Sequence, residues 1–438
     1  MNSVMSTVHL IRRLVLCLAY SIAATSIEAV VAQTSAPPTI PLCPGLTIVT
    51  AVHQQNGDYE SIKTVESVGP KEVRLKYSAE GANTDWLAPS KSATKTVNVH
   101  RTILVSDLQS ANSYEQVYLD KSEETIPGTT AIGVSTAILR ALKSKGEADL
   151  AISTAYSDLQ LTADKAKRPN YYDYLQVAKL RKVGGQVRLP VMVNDTPAEL
   201  PAIHAEGESA GDKMDFDFLD DENNPLTLGF RIGIGAIKPL TPDQMTLCKT
   251  IAKAGGATSA FLGNARCDLP NGGDRDTLRV VKINSRCTSP AVNVAGNGGP
   301  LGGAAAGGGA ASSGAMALEK ALAEKGTVDV YSIYFSFNSD AIRDESQPTL
   351  KDIAEVMRRH PDWKLRVDGH TDNIGGVAYN LALSKRRSAA VKDALVKEYA
   401  ISPGRLMTDG FGASQPRDTN DTLEGRARNR RVELVKVG

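Results

Sequence analysis

Gly369-His370-Thr371-Asp372 follows a short run in which Leu365 and Val367 alternate with polar residues. Such alternation is typical of a strand with one buried face, so these four residues are expected to form the turn that leaves the strand. The turn places the acid Asp372 in a loop. Fifteen residues later comes Arg387, a cation in an unusual position.

Arg387 lies on the apolar stripe of a predicted helix. Apolar residues recur at helical spacing between 379 and 399, and Arg387 is four residues from both Leu383 and Val391 on that stripe. Burying an unpaired guanidinium costs several kcal/mol, so this cation needs an anion. Asp372 is the nearby acid that lies in a loop rather than on a solvated helix face. The two are expected either to pair with each other or to bind a zwitterion together.

These two residues belong to a wider set of motifs that closely resembles the OmpA-like peptidoglycan-binding domain over about residues 328–438. The resemblance implies that Asp372 binds the ammonium group, and Arg387 the carboxylate, of a diaminopimelate residue in a peptidoglycan stem peptide. Arginine binds a carboxylate through two parallel hydrogen bonds, which suits such a ligand. The other motifs are Asn380, Leu383-Ser384 and Gly425-Arg426-Ala427-Arg428-Asn429-Arg430-Arg431-Val432-Glu433.

Further polar residues are expected at the same site. Asn338, Thr371 and Asn380 would line it, and Arg430 would either bind the ligand carboxylate or brace Asp372. The sequence departs from the family pattern after the first predicted strand, where Ser336 stands in place of the usual aspartate.

Without the resemblance, this part of the chain is still predicted to be α+β. Apolar periodicity and helix-breaking residues give the order β-α-β-α-β-β, which predicts helices packed on a small mixed sheet. The predicted elements are a strand at 328–337, a helix from Pro348 that ends before Pro361, a strand at 364–368, the helix at 379–399 and strands at 406–412 and 431–437.

The start of the chain predicts export. Arg12-Arg13 precedes an apolar stretch, and small residues reach Ala32, a pattern typical of a secretory signal peptide over residues 1–32. A mature chain from Gln33 in the periplasm is expected, associated with the cell wall or the outer membrane. The alternative is an uncleaved inner-membrane anchor.

Four cysteines follow the predicted signal: Cys43, Cys248, Cys267 and Cys287. In an oxidising compartment they are expected to form two disulfides, in any of three pairings. A zinc site is disfavoured because no two of them have C-x-x-C spacing.

Residues 33–292 are predicted to form a β-rich periplasmic domain, for which no family resemblance is evident. Residues 293–314 contain nine glycines among 22 residues and are predicted to be a flexible Gly/Ala/Ser-rich linker. The OmpA-like domain would then occupy residues 315–438, and the linker would separate two tasks.

The charge balance of 50 basic and 49 acidic residues gives no case for nucleic-acid binding. No grouping of nucleophile, base and orienting residue stands out, so no enzyme activity, catalytic residue, cofactor or metal is expected. The sequence predicts a non-covalent peptidoglycan anchor, whose N-terminal domain would bind outer-membrane or other envelope proteins. The alternatives are a cell-wall-targeted enzyme with its chemistry in the N-terminal domain, an outer-membrane β-barrel and an inner-membrane-anchored protein.

Overall fold

The computed structural model describes most of the chain from residue 37 to residue 437. The exceptions are 55–56, 83–93, 116–122, 154–174, 210, 254–260, 263–264, 268–270, 275, 286 and 288–311. The predicted signal peptide and nearly all of the predicted linker therefore lie outside the described residues. Within these residues, no helix combines the length and the apolar composition that crossing a membrane requires.

The β-rich region, residues 37–287, is dominated by strands. Its short helices are α1 (Val105–Ser110), α2 (Thr136–Lys145) and α3 (Pro242–Lys253). Its strands, in chain order, are β1 Leu46–Gln54, β2 Gly57–Val68, β3 Glu72–Ala82, β4 Thr94–Leu104, β5 Ser113–Tyr114, β6 Glu123–Thr125, β7 Thr129–Thr130, β8 Glu147–Ser153, β9 Leu175–Val193, β10 Thr196–Ser209, β11 Asp212–Leu219, β12 Thr227–Ile232, β13 Phe261–Leu262, β14 Ala265–Arg266 and β15 Asp276–Ser285.

Thirteen of these strands form one sheet, in the order β6-β4-β3-β2-β1-β15-β12-β11-β10-β9-β8-β5-β7. The long strands pair antiparallel with their neighbours in this order, and a two-residue parallel contact also joins β9 to β15. Strand β1 lies between β2 and β15. Helix α2 has a cap at each end, because Ser135 accepts a hydrogen bond from the Ile138 amide at its N-terminus and Gly146 ends it with φ of 77°.

Two disulfides pair the four cysteines. Cys43 is bonded to Cys287, which joins the segment before β1 to the segment after β15, and Cys248 of α3 is bonded to Cys267. The structure thus selects one of the three pairings that the sequence left open.

The C-terminal region, residues 312–437, is an α/β unit. Two short 3₁₀ turns, Asp344–Ser346 and Pro403–Arg405, lie between its main elements. Those elements are α4 Ser313–Lys325, β16 Thr327–Val330, α5 Gln347–Arg359, β17 Leu365–His370, α6 Val377–Lys397, β18 Leu406–Gly412, α7 Leu423–Asn429 and β19 Val432–Lys436.

The four strands form a mixed sheet in the order β16-β19-β17-β18, in which only the β17 and β18 pair is parallel. This confirms the α+β class and the predicted order of the main elements. Helix α7 was not predicted from the sequence.

The first strand is shorter than predicted, ending at Val330 rather than Phe337. Its continuation contacts the β-rich region instead of the sheet. Asp195 accepts hydrogen bonds from the Tyr331 amide and the Ser332 hydroxyl, both at 2.7 Å. A periodicity argument could not detect this competing partner, because it lies more than 130 residues away.

The two regions pack directly against each other within the compact unit formed by residues 37–438. Val49, Ala51 and Ile62 of the β-rich region share one apolar cluster with Tyr334 and Ala427 of the C-terminal region. The sequence predicted two units joined by a tether and gave no sign of this contact.

Candidate ligand-binding pocket

A cavity of about 250 Å³ lies where the two regions meet. Its C-terminal wall is built from the turn after β17, the first half of α6, the loop after β16 and the residue that follows α7. Its other wall comes from the β-rich region. All six residues predicted from the sequence line this cavity: Asn338, Thr371, Asp372, Asn380, Arg387 and Arg430.

Asp372 is the acid of the pocket, and its carboxylate is fixed from two sides. One oxygen accepts a hydrogen bond from the Ile374 amide at 3.0 Å, which closes the turn after β17. The other accepts from Nη1 of Arg430 at 2.5 Å. The residue is only 8% exposed, yet it faces the cavity. Arg430, and not Arg387, is therefore its ion-pair partner.

Arg387 extends from α6 into the same cavity. Its Nε donates to the backbone oxygen of Ser339 at 2.9 Å, and its guanidinium carbon lies 4.9 Å from the centre of the Phe335 ring. Among the described residues, no carboxylate lies within ion-pair distance of it. Burial and the neighbouring Arg430 lower the pKa of Arg387 to about 10.

Two glycines allow α6 to approach the sheet. A Cβ atom on Gly369 of β17 would lie 2.2 Å from the backbone oxygen of Ser384, and one on Gly410 of β18 would lie 2.4 Å from the Lys385 amide. Only glycine fits such a close approach. Ser384 precedes Arg387 by one helical turn, so these contacts set how near Arg387 lies to the turn that carries Asp372.

Asn380 and Thr371 support the turn. Asn380 is buried and donates to the backbone oxygens of Asp372 and Ile374 at 3.2 and 3.1 Å. The Thr371 hydroxyl donates to the oxygen of Asp372 at 2.9 Å. Both residues therefore fix the shape of the turn that carries Asp372, while they also line the cavity.

Asn338 lies across the pocket, in the loop after β16. Its backbone adopts φ of 56°, a left-handed conformation that asparagine tolerates better than most residues. Its side-chain oxygen accepts a hydrogen bond from the Tyr379 hydroxyl of α6. This contact joins the loop after β16, whose Ser339 accepts a hydrogen bond from Arg387, to the first turn of α6.

Arg430 is bonded to two carboxylates. Nη1 bonds Asp372, and Nη2 bonds Glu60 of strand β2 at 2.5 Å. Burial would lower the pKa of Arg430, but the two carboxylates outweigh it and raise the pKa above its ordinary value. Of the two roles expected for Arg430, bracing Asp372 is the one seen here.

Glu60 and Lys282 are pocket residues that the sequence analysis missed. Lys282 Nζ lies 3.9 Å from the Glu60 carboxylate. Burial would raise the pKa of Glu60, but Arg430 and Lys282 lower it to about 2. Burial lowers the pKa of Lys282, and Glu60 offsets this only in part. Both residues lie far from the OmpA-like motifs in the chain, so no local pattern pointed to them.

His370, the last residue of β17, also lines the pocket. It is 3% exposed and its ring stacks on Phe411 at 5.4 Å between centroids. Burial, together with Arg431, lowers the pKa of His370 to about 4, so the ring is neutral at physiological pH.

The fold is a small α/β domain with a cavity lined by acidic and basic groups. The chain belongs to the OmpA family: the OmpA family model matches residues 334–430, and the peptidoglycan-associated lipoprotein of Brucella melitensis is 33% identical over 147 residues. That alignment covers 33% of this chain and 81% of the relative.

Other relatives match a smaller part of their own length. Outer membrane porin F of Pseudomonas aeruginosa is 44% identical over 101 residues, covering 23% of this chain and 29% of the porin. Outer membrane protein Omp38 of Acinetobacter baumannii is 43% identical over 106 residues, or 24% of this chain and 30% of the relative. The chain thus spans less than a third of the length of these two proteins.

Among solved structures, the cell wall anchor of the T6SS from Pseudomonas aeruginosa is 37% identical, with a TM-score of 0.23. The similarity covers 26% of this chain and 80% of that one.

Proposed function

We propose that the C-terminal region binds peptidoglycan non-covalently and thereby anchors a cell-envelope protein to the cell wall. The proposal rests on the environment of the Arg387 side chain. This guanidinium is largely buried in a cavity and lacks a carboxylate partner among the described residues, while Asp372 lines the same cavity. A diaminopimelate centre with a free ammonium and a free carboxylate would satisfy both.

The expected contacts follow from the two charges. The ligand carboxylate would bind the Nη atoms of Arg387, since its Nε is already bonded to Ser339. Asp372 would accept the ligand ammonium with the lone pairs that Arg430 and the Ile374 amide leave available. Bringing a carboxylate to Arg387 offsets the desolvation that lowers its pKa.

Such contacts suggest weak binding to any single stem peptide. Each charge-assisted hydrogen bond contributes about 1.5–3 kcal/mol. Retention at the wall would come from the repeating polymer, in which many identical stems lie near one bound domain and favour rebinding.

The relatives support this proposal and suggest where it operates. One of the relatives named above is a peptidoglycan-associated lipoprotein, and two are outer-membrane proteins. We place the protein in the periplasm, associated with the cell wall or the outer membrane. The β-rich region would bind other envelope proteins there, and the proposal involves no covalent chemistry.

Sacculus co-sedimentation tests the proposal. Purified sacculi are mixed with the full chain, and the pelleted fraction is measured for wild type, Asp372→Ala and Arg387→Ala. The matched controls are Arg386→Ala, which alters the adjacent and more exposed arginine on α6, and Asp393→Ala on the same helix.

We expect at least a tenfold loss of affinity for the two pocket variants and wild-type binding for both controls. Circular dichroism would check that every variant is folded. Wild-type pelleting of folded Asp372→Ala and Arg387→Ala would contradict the proposal.

A further inference from the structure

Two of the five arginines that line the pocket, Arg387 and Arg430, differ in their anionic partners. Arg430 has two carboxylates, Asp372 from its own region and Glu60 from the β-rich region. Arg387 has none among the described residues. These two guanidiniums therefore offer two positions at which a carboxylate from outside the C-terminal region can bind, and Glu60 occupies the one at Arg430.

The local charge balance favours an anionic ligand. Three anions line the cavity, Glu60, Glu80 and Asp372, against six cations: Lys282, Arg343, Arg387, Arg426, Arg430 and Arg431. Removing the charge of Glu60 would raise the excess of positive charges from three to four.

Glu60 is held in place by the contact between the regions. On the neighbouring strand β3, Glu80 accepts hydrogen bonds from the Phe337 amide at 2.9 Å and from the Ser336 hydroxyl at 3.3 Å. Ile62, two residues after Glu60, belongs to the apolar cluster shared by the two regions. The β-rich region thus presents the Glu60 carboxylate to Arg430 through several independent contacts.

We propose that Glu60 acts as an internal carboxylate ligand of the pocket, which fills the anion position at Arg430 and so restricts an outside carboxylate to Arg387. This inference rests on the proposed function. In this role Glu60 is a specificity-determining residue: it sets how many carboxylates the pocket accepts and lowers the affinity for an anionic ligand. The β-rich region becomes a part of the binding site that the OmpA family match does not include.

A purely structural ion pair is the competing explanation, and it predicts a different result. If Glu60 only joins the two regions, neutralising it would weaken the contact and leave the affinity for the ligand unchanged or lower. If Glu60 competes with an outside carboxylate, neutralising it would raise that affinity. The sign of the change therefore separates the two explanations.

The experiment compares the affinity for purified sacculi of the full chain and of Glu60→Gln, with Arg387→Ala as the binding-deficient reference. Glutamine keeps the size of the side chain and removes its charge. The matched control is Glu66→Gln on the same strand, because Glu66 pairs with Arg74 and His100 away from the pocket. Thermal unfolding would confirm that each variant is folded.

We expect Glu60→Gln to bind about tenfold more tightly than wild type, and Glu66→Gln to bind like wild type. Unchanged or weaker binding by folded Glu60→Gln, while Arg387→Ala still abolishes binding, would overturn this inference and leave the proposed function intact. Failure of wild type and Glu60→Gln alike to pellet with sacculi would overturn the proposed function together with this inference.

Discussion

The two regions line one pocket, but the residues that meet there differ greatly in how far apart they lie in the sequence. In the C-terminal region, Asp372 and Arg387 lie fifteen residues apart and come together through one turn and one helix. In the β-rich region, Glu60 reaches Arg430 across 370 residues of sequence. Residues that lie close together in the sequence can form a recognisable motif, whereas a contact between residues far apart in the sequence forms none. The recognisable domain is therefore only part of the site.

The regions also differ in how they are stabilised. The β-rich region carries both disulfides, one of which joins its two ends. The described C-terminal region contains no cysteine and relies on an apolar core between its helices and its mixed sheet. The following predictions use these differences, beginning with the largest expected effect.

Removing the Cys43–Cys287 disulfide should destabilise the β-rich region much more than the C-terminal region. For Cys43→Ser with Cys287→Ser, the 244-residue separation predicts a loss of about 5 kcal/mol from the free energy of unfolding in the chain-entropy model. Calorimetry should show the β-rich transition at a much lower temperature and the C-terminal transition nearly unchanged. The control is Cys248→Ser with Cys267→Ser, which removes the disulfide with a sequence separation of 19 residues. Its loss should lower the free energy of unfolding by about 3 kcal/mol. An equal shift of both transitions would contradict the prediction.

A methyl group on Gly369 should destabilise the C-terminal region. Its Cβ would meet the Ser384 backbone 2.2 Å away, so either α6 or β17 must shift. We expect Gly369→Ala to lower the free energy of unfolding by about 3 kcal/mol, as for overpacked cores. Chemical denaturation measures the loss. At Gly404 a Cβ would meet nothing within 4 Å, so Gly404→Ala is the control and should be nearly neutral. Similar stability of the two variants would argue against this close packing.

His370 should make the C-terminal region sensitive to acid. Its folded-state pKa, about 4, lies below the ordinary value of 6.5, so the unfolded chain binds more protons between these values. Stability is therefore expected to fall as pH drops from about 6.5 to about 4, by about 2 kcal/mol. Denaturation of wild type and His370→Gln at several pH values measures this slope. If the variant kept the wild-type slope in that range, another group would have to cause it.

Glu80 should contribute a smaller, local coupling between the regions. Glu80→Gln weakens the charge-assisted contacts to Ser336 and to the Phe337 amide. A double-mutant cycle with Ser336→Ala should give a coupling energy of about 1 kcal/mol in unfolding experiments. Strict additivity of the two substitutions would mean that the side-chain contact contributes nothing.

Much of the C-terminal fold could be predicted from the sequence, because its signals are local. Strand β18 has the predicted bounds of 406–412, and the apolar stripe of α6 located that helix to within two residues. The end of the first strand could not be predicted, because Tyr331 and Ser332 donate hydrogen bonds to Asp195 instead of extending the strand. The same reason explains the site: turn and helix motifs revealed Asp372 and Arg387, but nothing near Arg430 in the sequence reveals Glu60.

The roles of the polar residues were harder to predict than their positions. Asn380, Thr371 and Asn338 do line the cavity, yet their side chains bond to the backbone or to Tyr379. Sequence proximity to Asp372 does not distinguish a residue whose polar atoms are available to the cavity from one whose polar atoms hold the turn after β17. Only the atomic contacts make that distinction.

The central claim is that Arg387 binds a ligand carboxylate, and a change on the ligand tests it most directly. Calorimetric titration would compare two soluble stem peptides that differ only in whether the diaminopimelate side-chain carboxylate is free or amidated. Wild type should bind the free form at least tenfold more tightly, and Arg387→Ala should bind both forms equally weakly. Equal binding of the two peptides by wild type would contradict the account.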